Sequence, residues 1–381
     1  MEYKKLGDIA TYINGYAFKP EQRGSEGLPI IRIQDLTGNA YDLGYYNGDY
    51  PKKVELNDGD VLISWSASLG VYLWNRGKAL LNQHIFKVVF DKVEIDKFYF
   101  MYAVEYNLDK MSLKTHGATM KHITKKDFAN VVIPYPNLDY QKEVAYRLTS
   151  LKGIIKKYQE QLVLLDELIK ARFVEMFGDP NIEFKYSSVK FNDLVARMTK
   201  GPFGSDMKKD LFVPKGEDTY KVYIQINAIQ KNQSLGEYYI SKEYFDRKVS
   251  RFELFPNDYI ITCDGTLGKY LKLDENMEKG VISPSLLRLT LQNDKINDKY
   301  FENIWDFYML GLMKKEARNA CLVHLPSAKK IGEISIPVPP LELQNQFASF
   351  VKEIDKSRSR IQKSLEASQE LFDCLMQEYF G

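Results

Sequence analysis

The fold is decided by the stretch Asp60-Val-Leu-Ile-Ser-Trp-Ser-Ala-Ser-Leu-Gly70, because the chain repeats it without a gap as Asp258-Tyr-Ile-Ile-Thr-Cys-Asp-Gly-Thr-Leu-Gly268. Each copy is typical of a turn that leads into a buried strand. Ile133-Pro-Tyr-Pro136 likewise returns as Ile336-Pro-Val-Pro339, so the offset grows from 198 to 203 residues. Solenoid repeats recur every 20–50 residues or so. The much longer period indicates two whole domains of one design.

The composition is that of an ordinary soluble globular protein. With 381 residues, 44% hydrophobic and 27% charged, the chain is expected to form two or three domains. No secretion signal or membrane-spanning stretch is visible. Cys263, Cys321 and Cys374 are scattered and lack metal-ligand spacing, which indicates a reduced, cytoplasmic protein. The net charge of +2 neither favours nor excludes nucleic acid, since binding depends on local basic patches.

Each copy predicts a mixed domain of strands and short helices. Leu28–Leu36 and its counterpart Tyr220–Ala228 alternate between apolar and polar residues, which predicts a strand in each copy. Helices are expected further on, at roughly 96–113 and 297–317.

A long amphipathic helix closes each copy, ending at Phe177-Gly178 and Phe380-Gly381. In the first helix, apolar residues recur at alternating intervals of three and four, the seam spacing of a coiled coil: Leu148, Leu151, Ile155, Tyr158, Leu162, Leu165 and Ile169. The second helix keeps this register at Val351, Ile354, Ile361, Leu365 and Phe372, with Arg358 and Ser368 at the other two positions. A 40-residue helix is ~60 Å long, too long for one small domain. We therefore expect the two helices to pack antiparallel, because two unrelated core helices would not share a register.

Catalytic motifs are missing from the sequence. There is no Gly-rich phosphate loop ending in Gly-Lys-Ser/Thr and no Asn/Asp-Pro-Pro-Tyr/Phe motif of adenine methylation. The best nuclease-like stretch, Glu183-Phe-Lys185, has no suitable aspartate before it. These absences predict a protein without catalytic or metal-binding residues.

Only two of the four histidines, His122 and His324, occupy equivalent positions in the copies. One histidine in each copy, without further ligands at metal spacing, does not make a metal site. Either both are structural hydrogen-bonding residues or they contact a phosphate or a base.

Polar and cationic side chains gather at strand ends and loops in each copy, which is the chemistry that DNA recognition needs. The candidate DNA-binding residues of the first copy are Lys19, Arg23, Arg32, Gln34, Asn39, Ser64, Ser66, Ser68, Asn82, Gln83, Lys121 and His122. Those of the second copy are Lys200, Ser205, Lys208, Lys209, Gln225, Asn227, Gln230, Lys231, Thr262, Asp264, Thr266, Lys269, Ser283, Ser285 and His324. Taken singly, such a residue is more often a solvated surface residue than a contact.

The polar residues differ between the copies, whereas the apolar positions and turn glycines are kept. Asp264 stands where the first copy has Ser66, and Pro284 where it has Gln83. Two copies of one scaffold with different polar faces would bind two different sequences.

With these features the chain resembles, over essentially its whole length, the specificity subunit of a type I restriction–modification enzyme. The resemblance rests on the start Lys5-Leu-Gly-Asp-Ile-Ala10 and on the turn Gly59-Asp-Val-Leu-Ile-Ser64. It rests further on the segments Ile133–Gln141 and Ile336–Gln344, each of which leads into a long helix.

The resemblance implies an α+β fold with pseudo-two-fold symmetry. Residues 1–138 and 181–340 would be target recognition domains, each binding one half of a bipartite site in double-stranded DNA. Residues 139–180 and 341–381 would be antiparallel spacer helices, which dock two methyltransferase subunits and, through them, restriction subunits. The chain itself would hold no cofactor, since S-adenosylmethionine, ATP and Mg²⁺ belong to the partner subunits.

Two other functions remain open at this point. The chain could be a stand-alone DNA methyltransferase or nuclease that uses one half for recognition. It could also be a coiled-coil scaffold that binds only protein.

Overall fold

The computed structural model describes residues 2–39, 42–114, 123–179, 182–230, 236–319 and 324–381, with the backbone alone at 109, 112–114, 227 and 316–319. The chain divides into two compact units. The first unit comprises Met1–Gln161 together with Ile361–Gly381, and the second unit comprises Leu162–Arg360. Each long helix therefore contributes to both units.

In the described residues of the first half, the chain forms two four-stranded sheets, a strand pair and five α-helices. Its strands are β1 (Tyr3–Lys5), β2 (Thr11–Asn14), β3 (Leu28–Ile31), β4 (Gly44–Tyr46), β5 (Glu55–Leu56), β6 (Val61–Ser64), β7 (Gly70–Leu73), β8 (Ala79–Leu81), β9 (Ile85–Val89) and β10 (Val132–Pro134). Its helices are α1 (Leu6–Ile9), α2 (Ile33–Thr37), α3 (Lys97–Lys114), α4 (Lys125–Ala129) and α5 (Leu138–Phe177). The strand orders are β2-β9-β6-β7, β4-β3-β8-β5 and β1-β10.

The second half repeats this topology after a short hairpin. Its strands are β11 (Gly178–Asp179), β12 (Glu183–Phe184), β13 (Ser188–Lys190), β14 (Val195–Lys200), β15 (Thr219–Tyr223), β16 (Tyr238–Ser241), β17 (Glu253–Leu254), β18 (Tyr259–Thr262), β19 (Tyr270–Lys272), β20 (Gly280–Ile282), β21 (Leu286–Leu291) and β22 (Ser335–Pro337). Its helices are α6 (Gln225–Ala228), α7 (Lys242–Tyr244), α8 (Asp298–Ile304), α9 (Leu310–Asn319), α10 (Ala328–Gly332) and α11 (Leu341–Phe380), and a π-helical turn joins α8 to α9. The strand orders β14-β21-β18-β19, β16-β15-β20-β17 and β13-β22 match those of the first half.

A buried glutamine performs the same task in both units. Gln141 accepts a hydrogen bond from the backbone N–H of Asp96 at 2.9 Å and donates one to the carbonyl of Pro136 at 2.8 Å. Gln344 accepts from Asn297 and donates to Pro339 with both bonds at 2.8 Å. Because a buried amide needs its partners, this pair explains why the Pro-x-Pro segment and the glutamine recur together.

Each unit buries its central strand and is completed by the end of a long helix. All four residues of β6 and of β18 are buried. The core of the first unit includes Met376 and Phe380 near the end of α11. The core of the second unit includes Phe173 and Phe177 at the end of α5. The aromatic residues that end the two repeats are therefore core residues.

The antiparallel seam follows the predicted register. In the first unit, the early part of α5 lies beside the late part of α11, where Arg147 donates to the hydroxyl of Tyr379 at 3.3 Å. In the second unit, the rings of Phe173 and Phe347 are 5.6 Å apart. Arg358 at the polar seam position is half-buried and pairs with Asp166. The fold class predicted from the sequence is confirmed.

The strands predicted at Leu28–Leu36 and Tyr220–Ala228 are wrong in their second halves. β3 ends at Ile31, and Asp35 accepts a hydrogen bond from the backbone N–H of Arg32 at 2.8 Å, which caps α2. The counterpart strand β15 ends at Tyr223 and is followed by α6. The alternation of the sequence continues through both turns although the strands have ended, and the side-chain cap at α2 leaves no trace in the apolar pattern.

Among the helices of the described ranges, none combines the length and the apolar character needed to cross a membrane.

Candidate nucleic-acid interface

A polar cleft of about 390 Å³ opens in the first unit where α2 and three loops meet. The loops lie together because β8 pairs with β3 in parallel and β9 pairs with β6. The residues lining this first cleft are Arg23, Arg32, Ile33, Gln34, Thr37, Asn39, Ala67, Ser68, Asn82, Gln83 and His84. The fold thus brings together seven of the candidate DNA-binding residues predicted from the sequence: Arg23, Arg32, Gln34, Asn39, Ser68, Asn82 and Gln83.

A glycine packs tightly against the same loop in each unit. A Cβ on Gly15 would lie 1.9 Å from the carbonyl oxygen of Asn82, and a Cβ on Gly201 would lie 2.0 Å from that of Ser283. The two loops hydrogen-bond alike, since Asn82 donates to Ile31 at 3.1 Å and Ser283 donates to Tyr223 at 3.0 Å. Asn82 and Ser283 are therefore equivalent positions.

Arg32 forms part of the inner wall and is largely engaged there. It is buried, its Nε donates to Asp35 at 3.1 Å, and its Nη2 donates to the carbonyl of Asp42. The hydrogen bond with Asp35 raises the pKa of Arg32. The residue stays cationic and is bonded within the wall, while Arg23, Gln34 and Gln83 present exposed side chains.

Asn82 and His84 add polar groups to the same loop. Asn82 is only 7% exposed, and its Oδ1 has no hydrogen-bond partner within the described residues. His84 has a left-handed backbone with φ 72° and lies edge-on to Trp65 with ring centroids 5.0 Å apart. His84 was not predicted from the sequence, because the second copy has no histidine at the equivalent position. Its position directly after Asn82-Gln83 was the signal available.

Ser64 and Thr262 hold the loops after β6 and β18 from inside. Both are buried. Ser64 donates to the carbonyl of Ser68 at 2.5 Å, and Thr262 donates to Thr266 and accepts from the backbone N–H of Lys269 at 3.0 Å. Their hydroxyls are engaged by backbone groups and shape the loops that carry Ser68 and Thr266.

In the second unit, His324 meets the loop after β18. Leu325 donates a backbone hydrogen bond to Cys263 at 2.8 Å, as Ile123 does to Trp65 at 3.0 Å in the first unit. Asp264 Oδ1 then hydrogen-bonds to His324 Nδ1, with the two side chains 43% and 58% exposed. Burial raises the pKa of the neighbouring Cys263 thiol to about 11, so this cysteine stays neutral.

Two glutamines and a lysine surround this loop. Gln225 Nε2 is 3.8 Å from where a Cβ on Gly265 would lie. Gln230 Nε2 donates to Thr266 at 3.4 Å. Lys200 donates to the carbonyl of Leu325 at 3.0 Å. We call Gln225, Gln230, Asp264, Thr266 and His324 the second polar surface.

The remaining candidate DNA-binding residues fall into three groups: exposed, buried or half-buried, and outside the described residues. Lys19, Ser205, Lys208, Lys209 and Lys269 are exposed, and Lys19 does not line the first cleft. Ser66 and Ser283 are buried, and Ser283 approaches the half-buried Ser285 at 3.5 Å. Lys121, His122, Lys231 and the side chain of Asn227 fall outside the described residues. Within the described part of the chain, no three His, Cys, Asp or Glu side chains are grouped so as to hold a metal ion.

One scaffold used twice, with two paired helices and two different polar surfaces, defines a class of duplicated proteins with two similar units. The model of the type I restriction modification DNA specificity domain matches residues 1–164 and 204–369. The chain belongs to this family.

Curated relatives span nearly the whole chain. The type I restriction enzyme EcoBI specificity subunit of Escherichia coli is 22% identical over 94% of this chain and 80% of its own length. The MjaVIII specificity subunit of Methanocaldococcus jannaschii is also 22% identical, over 95% of this chain and 89% of its own.

Solved structures share the fold. The S subunit of a type I restriction–modification system from M. genitalium superposes with a TM-score of 0.57 at 14% identity, covering 100% of this chain and 96% of that chain. A chain from a study of complex assembly and conformational transition in the type I system gives 0.57 at 12% identity, covering 99% and 97%.

Proposed function

We propose that this chain is the non-catalytic DNA-recognition subunit of a type I restriction–modification enzyme, acting on double-stranded DNA in the cytoplasm. One recognition domain (1–138) binds one half of a bipartite target, and the other (181–340) binds the second half. The observation that carries the proposal is the duplicated scaffold, whose backbone hydrogen bonds recur while its exposed polar side chains differ. Two copies of one scaffold with different polar surfaces fit two half-sites of different sequence.

The first cleft has the chemistry to contact base edges. Amide groups such as those of Gln34 and Gln83 pair with adenine in the major groove, and Arg23 can pair with guanine. The exposed lysines Lys19 and Lys208 suit phosphates, which position a protein on DNA without selecting sequence.

The two long helices set the distance between the half-sites and dock the methyltransferases. Each has 40 residues. Leu168 on α5 and Leu371 on α11 occupy equivalent positions under the copy offset, and they are 46% and 51% exposed. Two exposed leucines at the same place on the two helices suit two copies of one methyltransferase subunit, through which restriction subunits would join and which would carry S-adenosylmethionine.

A domain exchange tests the proposal. The full chain is co-expressed with its methyltransferase subunit, and the methylated motif is mapped by sequencing the host genome. Replacing residues 1–138 with the matching domain of another family member should change one half of the motif and keep the other. A change in both halves, or in neither, would contradict the proposal.

A further inference from the structure

We propose that Asp264, held in place by His324, is a specificity-determining residue of the second unit. It selects a base that carries an exocyclic amino group, cytosine or adenine, at one position of the second half-site. This inference rests on the proposed DNA-binding function and adds the chemistry that one position of the target must have.

Asp264 and Ser66 stand at the same place on the same scaffold. The residue before each is bonded alike, since Trp65 donates to His84 at 3.3 Å and Cys263 donates to Ser285 at 2.8 Å. Ser66 is buried, whereas the side chain of Asp264 reaches into solvent. The unit-specific feature at this position is therefore an exposed carboxylate.

A carboxylate beside DNA is unfavourable unless it meets a donor. Phosphate charges act over about 8–10 Å at physiological salt, so they repel Asp264 wherever it faces the backbone. In the major groove, the amino groups of cytosine and adenine donate hydrogen bonds, whereas O6 of guanine and O4 of thymine accept them. A carboxylate at a base edge thus attracts cytosine and adenine and repels guanine and thymine. Specificity then comes both from a gain with the right base and from a penalty with the wrong one.

His324 positions the carboxylate for this contact. Its Nδ1 hydrogen-bonds to Oδ1 of Asp264, which fixes the plane of the carboxylate and leaves Oδ2 to accept from a base. The amides of Gln225 and Gln230 flank the same loop. The cationic Lys200 is also close, since its ammonium donates to the carbonyl of Leu325, the residue after His324, at 3.0 Å. Its charge offsets part of the repulsion from phosphates. His324 is in this account a positioning residue.

The test removes the amino groups from the DNA. The complex of the full chain with its methyltransferase subunit is titrated with duplexes carrying the mapped target. Each cytosine of the second half-site, on either strand, is replaced in turn by 2-pyrimidinone, and each adenine by purine. At one position the affinity of the wild-type complex should fall roughly tenfold, since a good base contact is worth about 1.4 kcal/mol or more.

Variants assign that loss to Asp264. Asp264→Ser, which installs the residue of the first unit, should bind the modified and unmodified duplexes equally well at that position. The isosteric Asp264→Asn should bind a duplex with a keto base at that position, because its amide can donate a hydrogen bond to the keto oxygen. This variant also keeps the test valid if the serine variant does not fold. Glu217→Gln removes an exposed carboxylate elsewhere on the second unit and should keep the wild-type pattern.

Two results would overturn the inference. In the first, removing any amino group of the second half-site leaves the affinity of the wild-type complex unchanged. In the second, the Asp264 variants lose as much affinity as the wild-type complex when the amino group is removed. Failure of the DNA-binding function itself would look different, because the unmodified target would then bind no better than a random duplex.

Discussion

At the scale of single residues, Gly15 and Gly201 are the most sterically constrained residues beside the two polar surfaces. An alanine Cβ at either site would overlap a backbone carbonyl at 1.9 or 2.0 Å, and the loops of Asn82 and Ser283 would have to move. Overpacking of this kind costs typically ~1–3 kcal/mol. We predict that Gly15→Ala destabilises the first unit by at least that amount and that Gly201→Ala does the same to the second, measured by urea unfolding.

A third glycine provides the matched control. Gly153 lies inside α5, and a Cβ on this residue would have no neighbouring atom within 4 Å. Gly153→Ala should therefore stabilise the helix by ~0.5–1 kcal/mol. If the three substitutions changed the free energy of unfolding equally, the close contact with the loops would not be the reason for glycine at positions 15 and 201.

The same scale shows why the surfaces were only partly predictable from the sequence. Ser64 and Thr262 have polar side chains in the right loops, yet both hydroxyls are buried and bonded to the backbone. His84 lines the first cleft but has no histidine counterpart in the second copy. Comparing copies identifies shared scaffold residues, whereas residues that distinguish two targets differ between copies by their nature.

At the scale of elements, the seam register was predictable because burial repeats along a helix. Val351 and Ile169 are buried as their spacing predicts. The ends of β3 and β15 were not predictable from alternation, since the alternation continues into α2 and α6. The cap that Asp35 makes at α2 leaves no trace in that pattern.

The half-buried Arg358 tests what the seam contributes. Its pair with the exposed Asp166 is expected to be worth ~0–1 kcal/mol, whereas an apolar side chain at a seam position is shielded from water by the facing helix. We predict that Arg358→Leu raises the thermal unfolding temperature of the second unit by a few degrees. Arg360→Leu, at an exposed position of the same helix, should not. A lower unfolding temperature for Arg358→Leu would mean that the ion pair stabilises the helices.

At the scale of the whole molecule, the two halves of the sequence are not independent folding units. Removing Met376–Gly381 deletes Met376, Tyr379 and Phe380 from the core of the first unit. Large buried side chains contribute ~2–5 kcal/mol each, which together approaches the ~5–15 kcal/mol of a whole domain. We predict that this truncation exposes the amides of β6 and β9 to hydrogen exchange while β18 and β21 stay protected.

The mirror variant serves as the control for that truncation. Phe173→Ala with Phe177→Ala removes two rings from the core of the second unit and should reverse the pattern, so that β18 and β21 lose protection. Loss of protection in both units from either change would show that they unfold together.

The length of the helices should fix the spacing of the target. Deleting the heptads Tyr158–Leu164 and Ile361–Ala367, which the copy offset relates, shortens each helix by ~10 Å and keeps the seam register. At ~3.4 Å per base pair along each strand, this equals about three base pairs. The half-sites would also be rotated around the DNA by about a third of a turn. We therefore predict a methylated motif with a shorter spacer and weaker methylation, or no methylation, as mapped by genome sequencing. Duplicating the same heptads should lengthen the spacer or likewise abolish methylation. A motif with an unchanged spacer in both variants would mean that the helices dock partners without measuring the DNA.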